Sequence, residues 1–279
     1  MQFQEKTAKA DIQPAHEAID YEAFLRSHLS QPHNIMRYEL AHETLWVKRA
    51  SKGNPAFNYW LLSALSKLLG APVLQPVPNP GGSESLQTEV TRLRSFQAKG
   101  LRVPAVLASN EQAFVMRHLG RPDEEAPSLS NAIEASSPQG AQATLQLWQK
   151  GLNAIEQAHA CGEVLSQAVA RNMVVCADGV IGFIDFEDDP VAHLPRAVCM
   201  ARDALNYAQS TALFLEQAGA LPAALPHWAA FVQQLPDDAQ QVLQRTVKKL
   251  GWVRFLPRSK RLGRDTLRVL AAHELLTAH

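Results

Sequence analysis

The hydrophobic period of this chain changes near residue 120, and that change narrows its folds more than any other feature. Before it, "TLWVKRA" (44–50) alternates β-branched and aromatic residues as a half-buried strand does. "VPAVLAS" and "AFVMRHL" read as two more strands, joined by a turn at Asn110. "NYWLLSALSKLLG" (58–70) is an amphipathic helix stopped by Gly70 and Pro72, and residues 71–82 form a proline-bearing loop. Ser83 or Ser85 is placed to cap the next helix, which ends at Gly100. Residues 120–130 are polar and proline-bearing and read as a hinge. After them, 139–161 makes one long helix around Leu145, Leu147, Trp148, Leu152 and Ile155, and helices dominate from about 196 onward. Strands with little helix, followed by a mostly helical half, predict an α+β architecture of two units, 1–119 and 120–279.

One short hairpin interrupts the helical half. In "RNMVVCADGVIGFIDFED" (171–188), two apolar runs flank a turn at Asp178-Gly179. The second run delivers Asp185 to its end, and Asn172 precedes the first. Both are oxygen ligands of the kind that hard cations such as magnesium accept, with water and phosphate completing the shell. The same pattern also serves as an ordinary turn with a capping aspartate.

Lys48 is the second anomaly. It sits mid-strand beside Leu45, Trp46 and Val47, and a lysine on a half-buried strand requires a partner. Glu89, on the helix ending at Gly100, can supply it; Glu84 is the alternative. The order of strand lysine, helix glutamate, hairpin, hinge, long helix, asparagine loop, strand and aspartate matches the parts used in kinase phosphoryl transfer.

Over roughly residues 40 to 215 the chain resembles the protein-kinase-like superfamily, in particular the bacterial branch of lipopolysaccharide-core (Kdo and heptose) kinases and aminoglycoside phosphotransferases. "WVKR" is similar to the lysine-bearing strand and "QTEVTRLRSFQAKGLRVPAVL" to helix C and the strand after it. "AFVMRHLG" is similar to the strand entering the hinge. "HACGEVLSQAVARNMVV" resembles the HxxGxxHGDxxxxN catalytic loop, and "IGFIDFED" the metal-binding segment, with Glu187 where that branch often carries glutamate. The resemblance implies a two-lobed fold with a small sheet-containing N-lobe and a mostly helical C-lobe. It implies ATP and Mg²⁺ as cofactors. Lys48 would grip the α and β phosphates with Glu89 as its ion-pair partner, Met116 and His118 would lie along the adenine, and Asn172 and Asp185 would ligate magnesium.

The departures from the family pattern concern chemistry. The His-Gly-Asp triplet falls on Leu165, Ser166 and Gln167, so Gln167 stands where the catalytic aspartate belongs. A carboxamide cannot accept a proton near neutral pH. "NIMRYELAHETLWVK" contains no glycine, so the phosphate-covering loop is not recognisable. Two classes therefore stay open. One is a degenerate kinase with weak ATP–magnesium affinity and a regulatory or binding role. The other is an ATP-dependent phosphotransferase acting on a sugar or lipopolysaccharide-type hydroxyl.

Other readings narrow the field. Formal net charge is zero, and nothing in that balance calls for nucleic acid. Partners are expected among small-molecule, sugar or glycolipid substrates, or a protein. No CxxC pair, P-loop, GxGxxG or GxSxG occurs. His16, His28 and His33 cluster only loosely, without metal-ligand spacing. No apolar leader opens the chain and no run of about 18 apolar residues occurs, so a cytoplasmic location is expected. Residues 248–268 are basic, with Trp252, Phe255 and Leu256 interleaved. They read either as a solvated face or as a peripheral contact with anionic membrane.

Overall fold

The structure is a computed structural model that describes residues 7–9, 19–51, 73, 75, 77–79, 81–122, 124–165, 167–258 and 263–277. The helix expected over 58–70 lies outside them, as do His16, Ser166, Lys260 and Arg261.

The architecture is α+β. A five-stranded sheet is built from β1 (Thr7–Lys9), β2 (Ile35–Glu39), β3 (Thr44–Arg49), β4 (Val106–Ser109) and β5 (Ala113–Arg117), in the order β1-β2-β3-β5-β4. All neighbours are antiparallel except β1 and β2. β2 was not anticipated. It pairs with β3 through a turn at 40–43 closed by Leu40 N–H donating to Glu43 O at 2.9 Å, with no Gly or Pro to announce it. β4 starts only at Val106, after Pro104, which has no N–H to give a ladder. The Asn110 turn forms as expected, its side-chain oxygen accepting the Gln112 and Ala113 amides.

Alternation divides β3 between two cores. Leu45 and Val47 join Met36, Tyr38, Ala113 and Val115 in a small cluster under α1 (Tyr21–Ser27), around the fully buried Leu25. Asp20 caps α1 by accepting the Glu22 and Ala23 amides. The opposite face carries Trp46 and Lys48, with Ile35, Arg37, Phe114 and Met116 as their cross-strand partners. That face meets the main core, which runs through α2 (Gly82–Ala98) into the helical part.

The cap of α2 differs from expectation. Gly81 occupies it with no side-chain hydrogen bond, and the Ser85 hydroxyl instead accepts the Gly81 amide at 2.9 Å. The positive-φ backbone of Gly81 and Gly82 opens the helix, so serine is left to brace it.

Beyond the connection at 118–128 lie α3 (Leu129–Ser136), α4 (Ala141–Ala160), the two-stranded sheet of β6 (Met173–Val175) and β7 (Ile181–Phe183), then α5 (Arg196–Gln217), α6 (Leu221–Gln234), α7 (Asp237–Lys249) and α8 (Arg264–Leu276). α4 buries Leu145, Trp148, Leu152 and Ile155 along the stripe expected of it. Among the described residues no helix is long and apolar enough to cross a membrane.

α4 and α5 approach closely at Gly151, where an added Cβ would stand 2.3 Å from Tyr207 Oη and 2.5 Å from Leu129 Cδ2. Tyr207 cannot give way freely, because its hydroxyl donates to Trp148 O at 2.6 Å in a fully buried site. Gly151→Ala would gain about 1 kcal/mol of helix propensity but overpack this crossing at a cost of about 1–3 kcal/mol. A lower urea midpoint with an unchanged slope is the expected outcome.

Candidate functional site

Three carboxylates converge on Lys48. Its ammonium lies 2.7 Å from Glu89 Oε2, 3.4 Å from Asp185 Oδ1 and 3.0 Å from Glu187 Oε1. The four groups come from three places. Lys48 is set by strand alternation on the inner face of β3. Glu89 lies on the buried stripe of α2, with Arg92, Leu93 and Phe96. Asp185 and Glu187 follow β7. Glu84, the other acid weighed for Lys48, is exposed. Glu187 is further held by Asn79, whose side-chain nitrogen donates to Oε2 at 3.1 Å, while Asn79 Oδ1 accepts the Gly81 amide at 3.0 Å.

The charge states follow from this packing. Burial alone would push the Lys48 ammonium down, but Glu89, Asp185 and Glu187 raise it above its ordinary value, so it stays protonated. Glu89 is pushed up by burial despite the Lys48 contact, whereas Glu187, less buried, is brought down by Lys48 and by the Asn79 bond. One ammonium thus faces three carboxyl groups.

Asp185 is the one non-glycine residue in left-handed backbone among the described residues, at φ 72°. Such a conformation costs on the order of 1 kcal/mol and is retained where surrounding structure imposes it. Here the Ile184 amide donates to Asn172 O at 3.0 Å and the Phe183 amide to Arg102 O at 2.9 Å, fixing the chain on one side. On the other, Phe186 is buried against Phe96, ring centroids 4.6 Å apart, with the Arg92 guanidinium 5.0 Å over its ring. The carboxylate between these anchors is 43 % exposed.

Asn172, Gln167 and Asp185 line one small depression, with Leu165, Met173 and Phe186. Asn172 is buried and its amide nitrogen has no hydrogen-bond partner. Gln167 is exposed. The segment carrying it leaves α4 through Gly162, at φ 73°, whose amide and that of Glu163 bond back to His159 O and Ala158 O. Buried Asp203 of α5 then pins it, taking the Leu165 amide at 2.9 Å and His159 Nε2 at 3.0 Å. Burial raises the Asp203 carboxyl, and His159 and the Leu165 amide oppose that.

Met116 and His118 lie further along the sheet. Met116 is the cross-strand partner of Trp46 and is buried. His118 is committed within the protein. Its amide donates to Thr44 O, Nδ1 accepts the Trp46 indole N–H at 3.0 Å, and Nε2 meets Glu124 O at 3.0 Å. An acceptor at Nδ1 and a donor at Nε2 describe a neutral imidazole, in keeping with burial lowering its proton affinity.

The turn at 40–43 is drawn to the other face of the sheet. Glu43 accepts Tyr21 Oη at 2.6 Å and Arg117 Nε at 3.0 Å, on the α1 side away from Lys48.

Asp203, Asn79 and Arg92 were not anticipated. Asp203 and Arg92 stand at apolar-stripe positions of their helices, and a charged residue there is the signal that could have marked them. Asn79 carried no such signal.

Among the described residues no three His, Cys, Asp or Glu side chains are arranged to hold a metal ion by themselves. Asp185 and Asn172 nevertheless suit an ion that brings phosphate oxygens and water with it. The exposed carboxylate offers charge, and the orphaned amide donor beside it can bond an incoming oxygen. A scan of the chain against protein-family models finds no match, and a search of curated proteins finds none.

Proposed function

We propose that this chain is a protein-kinase-like protein that holds a nucleotide–magnesium complex between its sheet and its helical part, and acts as a binding or regulatory module. The observation that carries this reading is the convergence of Glu89, Asp185 and Glu187 on Lys48, next to the depression lined by Asn172, Asp185 and Gln167. The excess of carboxylate over ammonium favours a divalent cation, and Lys48 favours the phosphates that accompany it. In this reading the sheet with α2 is the small lobe and the helical part the large one. Asp185 and Asn172 would hold magnesium, which when bound neutralises phosphate charge. Lys48, kept in place by Glu89, would position the α and β phosphates. Gln167 can orient a hydroxyl by hydrogen bonding but cannot take its proton. The glycine-free turn at 40–43, tied to Tyr21 and Arg117, supplies no cover for the phosphates.

The test is a thermal-shift titration with ATP and Mg²⁺. A ligand that binds the folded state at 100 times its Kd stabilises it by about 2.7 kcal/mol. The midpoint is expected to rise in the wild type and not in Asp185→Ala. An unmoved wild-type midpoint at millimolar nucleotide, or a shift that survives Asp185→Ala, overturns the reading.

A second reading, an ATP-dependent phosphotransferase acting on a sugar or lipopolysaccharide-type hydroxyl, is favoured by the left-handed backbone at Asp185. Strain of that kind persists at working sites. Transfer of labelled γ-phosphate to such an acceptor by the wild type would support it over the first.

A further inference from the structure

We infer that the turn at the end of α7 is a docking surface for an anionic lipid bilayer. Residues 251–255 form a 3₁₀ turn, in which side chains three apart eclipse one another. Trp252 and Phe255 therefore emerge from the same side of the turn, 54 % and 74 % exposed. They are two of five large apolar side chains left exposed among the described residues, and the two most exposed of them. The turn is held from beneath by Val253, which is buried, and by hydrogen bonds from the Leu250 amide to Thr246 O and the Val253 amide to Leu250 O. The rings thus project from a fixed base.

The charged residues of this stretch carry one sign. Lys248 and Lys249 close α7, and Arg254 lies between the two aromatic residues with its guanidinium 4.7 Å over the Phe255 ring. All three are exposed. Arg258 bridges Glu216 and Glu274 and Lys249 is engaged within the protein, so Lys248 and Arg254 are the cations this face offers. Residues 247–257, "VKKLGWVRFLP", contain no acid and no neutral hydrogen-bonding side chain except the Trp252 indole. That composition tells partners apart. A nucleic acid read by its bases, or an acidic peptide held in register, calls for amide and hydroxyl groups that pair with edges and backbone. A bilayer surface calls for aromatic rings at headgroup depth and cations beside lipid phosphates, which is what this turn presents. The whole chain has a formal net charge of zero, so the attraction is local and orients this face to the membrane. The inference stands apart from the nucleotide reading, because none of these residues touches Lys48 or Asp185.

The test is co-sedimentation of the full chain with vesicles of phosphatidylcholine alone and of phosphatidylcholine mixed with phosphatidylglycerol. Binding is expected only to the anionic vesicles and is expected to weaken as salt rises. The double variant Lys248→Gln, Arg254→Gln should lower partitioning roughly thirtyfold, given the contribution of each basic residue near an anionic surface. The double variant Trp252→Ser, Phe255→Ser should lower it roughly tenfold, since ring burial adds to charge. These side chains are exposed, so an unchanged melting temperature is expected to accompany both losses. Equal binding to neutral vesicles, binding that survives either variant, or capture of single-stranded DNA or polyaspartate without vesicle binding overturns the inference.

Discussion

Lys48→Met is expected to cost about 3–5 kcal/mol at neutral pH, the range for removing one partner of a buried ion pair. The reason is what stays behind. Glu89 has a side chain only 3 % exposed and would lose the ammonium 2.7 Å away, so at neutral pH it must either hold an unpaired buried charge or take up a proton, while Asp185 and Glu187 add repulsion. The pH dependence separates this account from simple loss of packing. In the wild type, the folded-state pKa of Lys48 lies above the ordinary value of 10.5. Its stabilisation is therefore fully present below 10.5 and is lost as pH rises through the folded value. In the variant the burden falls on Glu89, whose carboxyl burial already raises. A raised carboxyl favours the fold below its ordinary value of 4.5 and loses that advantage as pH climbs through the folded value. Urea midpoints should show the variant closest to wild type in mild acid and furthest from it above neutrality. Adding Glu89→Gln should restore much of the loss. A deficit independent of pH would mean that the methylenes of Lys48, not its charge, support the strand.

The largest expected effect on rate belongs to Gln167→Asp. A positioned general base contributes about 10²- to 10⁴-fold, and Gln167 already lines the depression that holds Asp185 and Asn172. A carboxylate placed there would sit near that of Asp185, and like charges raise the proton affinity of both, moving the new base toward neutrality. Turnover of ATP with magnesium should rise by two orders of magnitude or more, and adding Asp185→Ala should abolish the gain. No rise would mean that the bound phosphates are not held in line for attack, which would point to the uncovered side of the site at 40–43.

What could be read from residues alone was of two kinds. Periodic features were legible. These include the alternation that places Lys48 on one face of β3 and Leu45 and Val47 on the other, the apolar stripe of α4, and the Asp178-Gly179 turn between β6 and β7. Misfits were legible too. A lysine on a half-buried strand demanded an acid, and that demand reached across 41 positions to Glu89. The rest depended on tertiary contacts that leave no local mark. β2 escaped because "NIMRYEL" has no glycine or proline at either end. Asn79 escaped because an asparagine in a proline-bearing loop looks like any turn residue until Glu187 is brought to it. Ser83 or Ser85 was read as the cap because the residue type suits one, but the backbone at Gly81 and Gly82 decides where the helix begins.

The packing of Phe96 has a mechanical consequence. Phe96 of α2 touches both Phe183 and Phe186, and Arg92 one turn earlier lies over Phe186 while donating to Asp188 O. Helix and hairpin are thereby bolted into one body that carries Glu89, Asp185 and Glu187 together. The three acids around Lys48 are therefore set by one aromatic joint, while the lysine itself is set by the sheet.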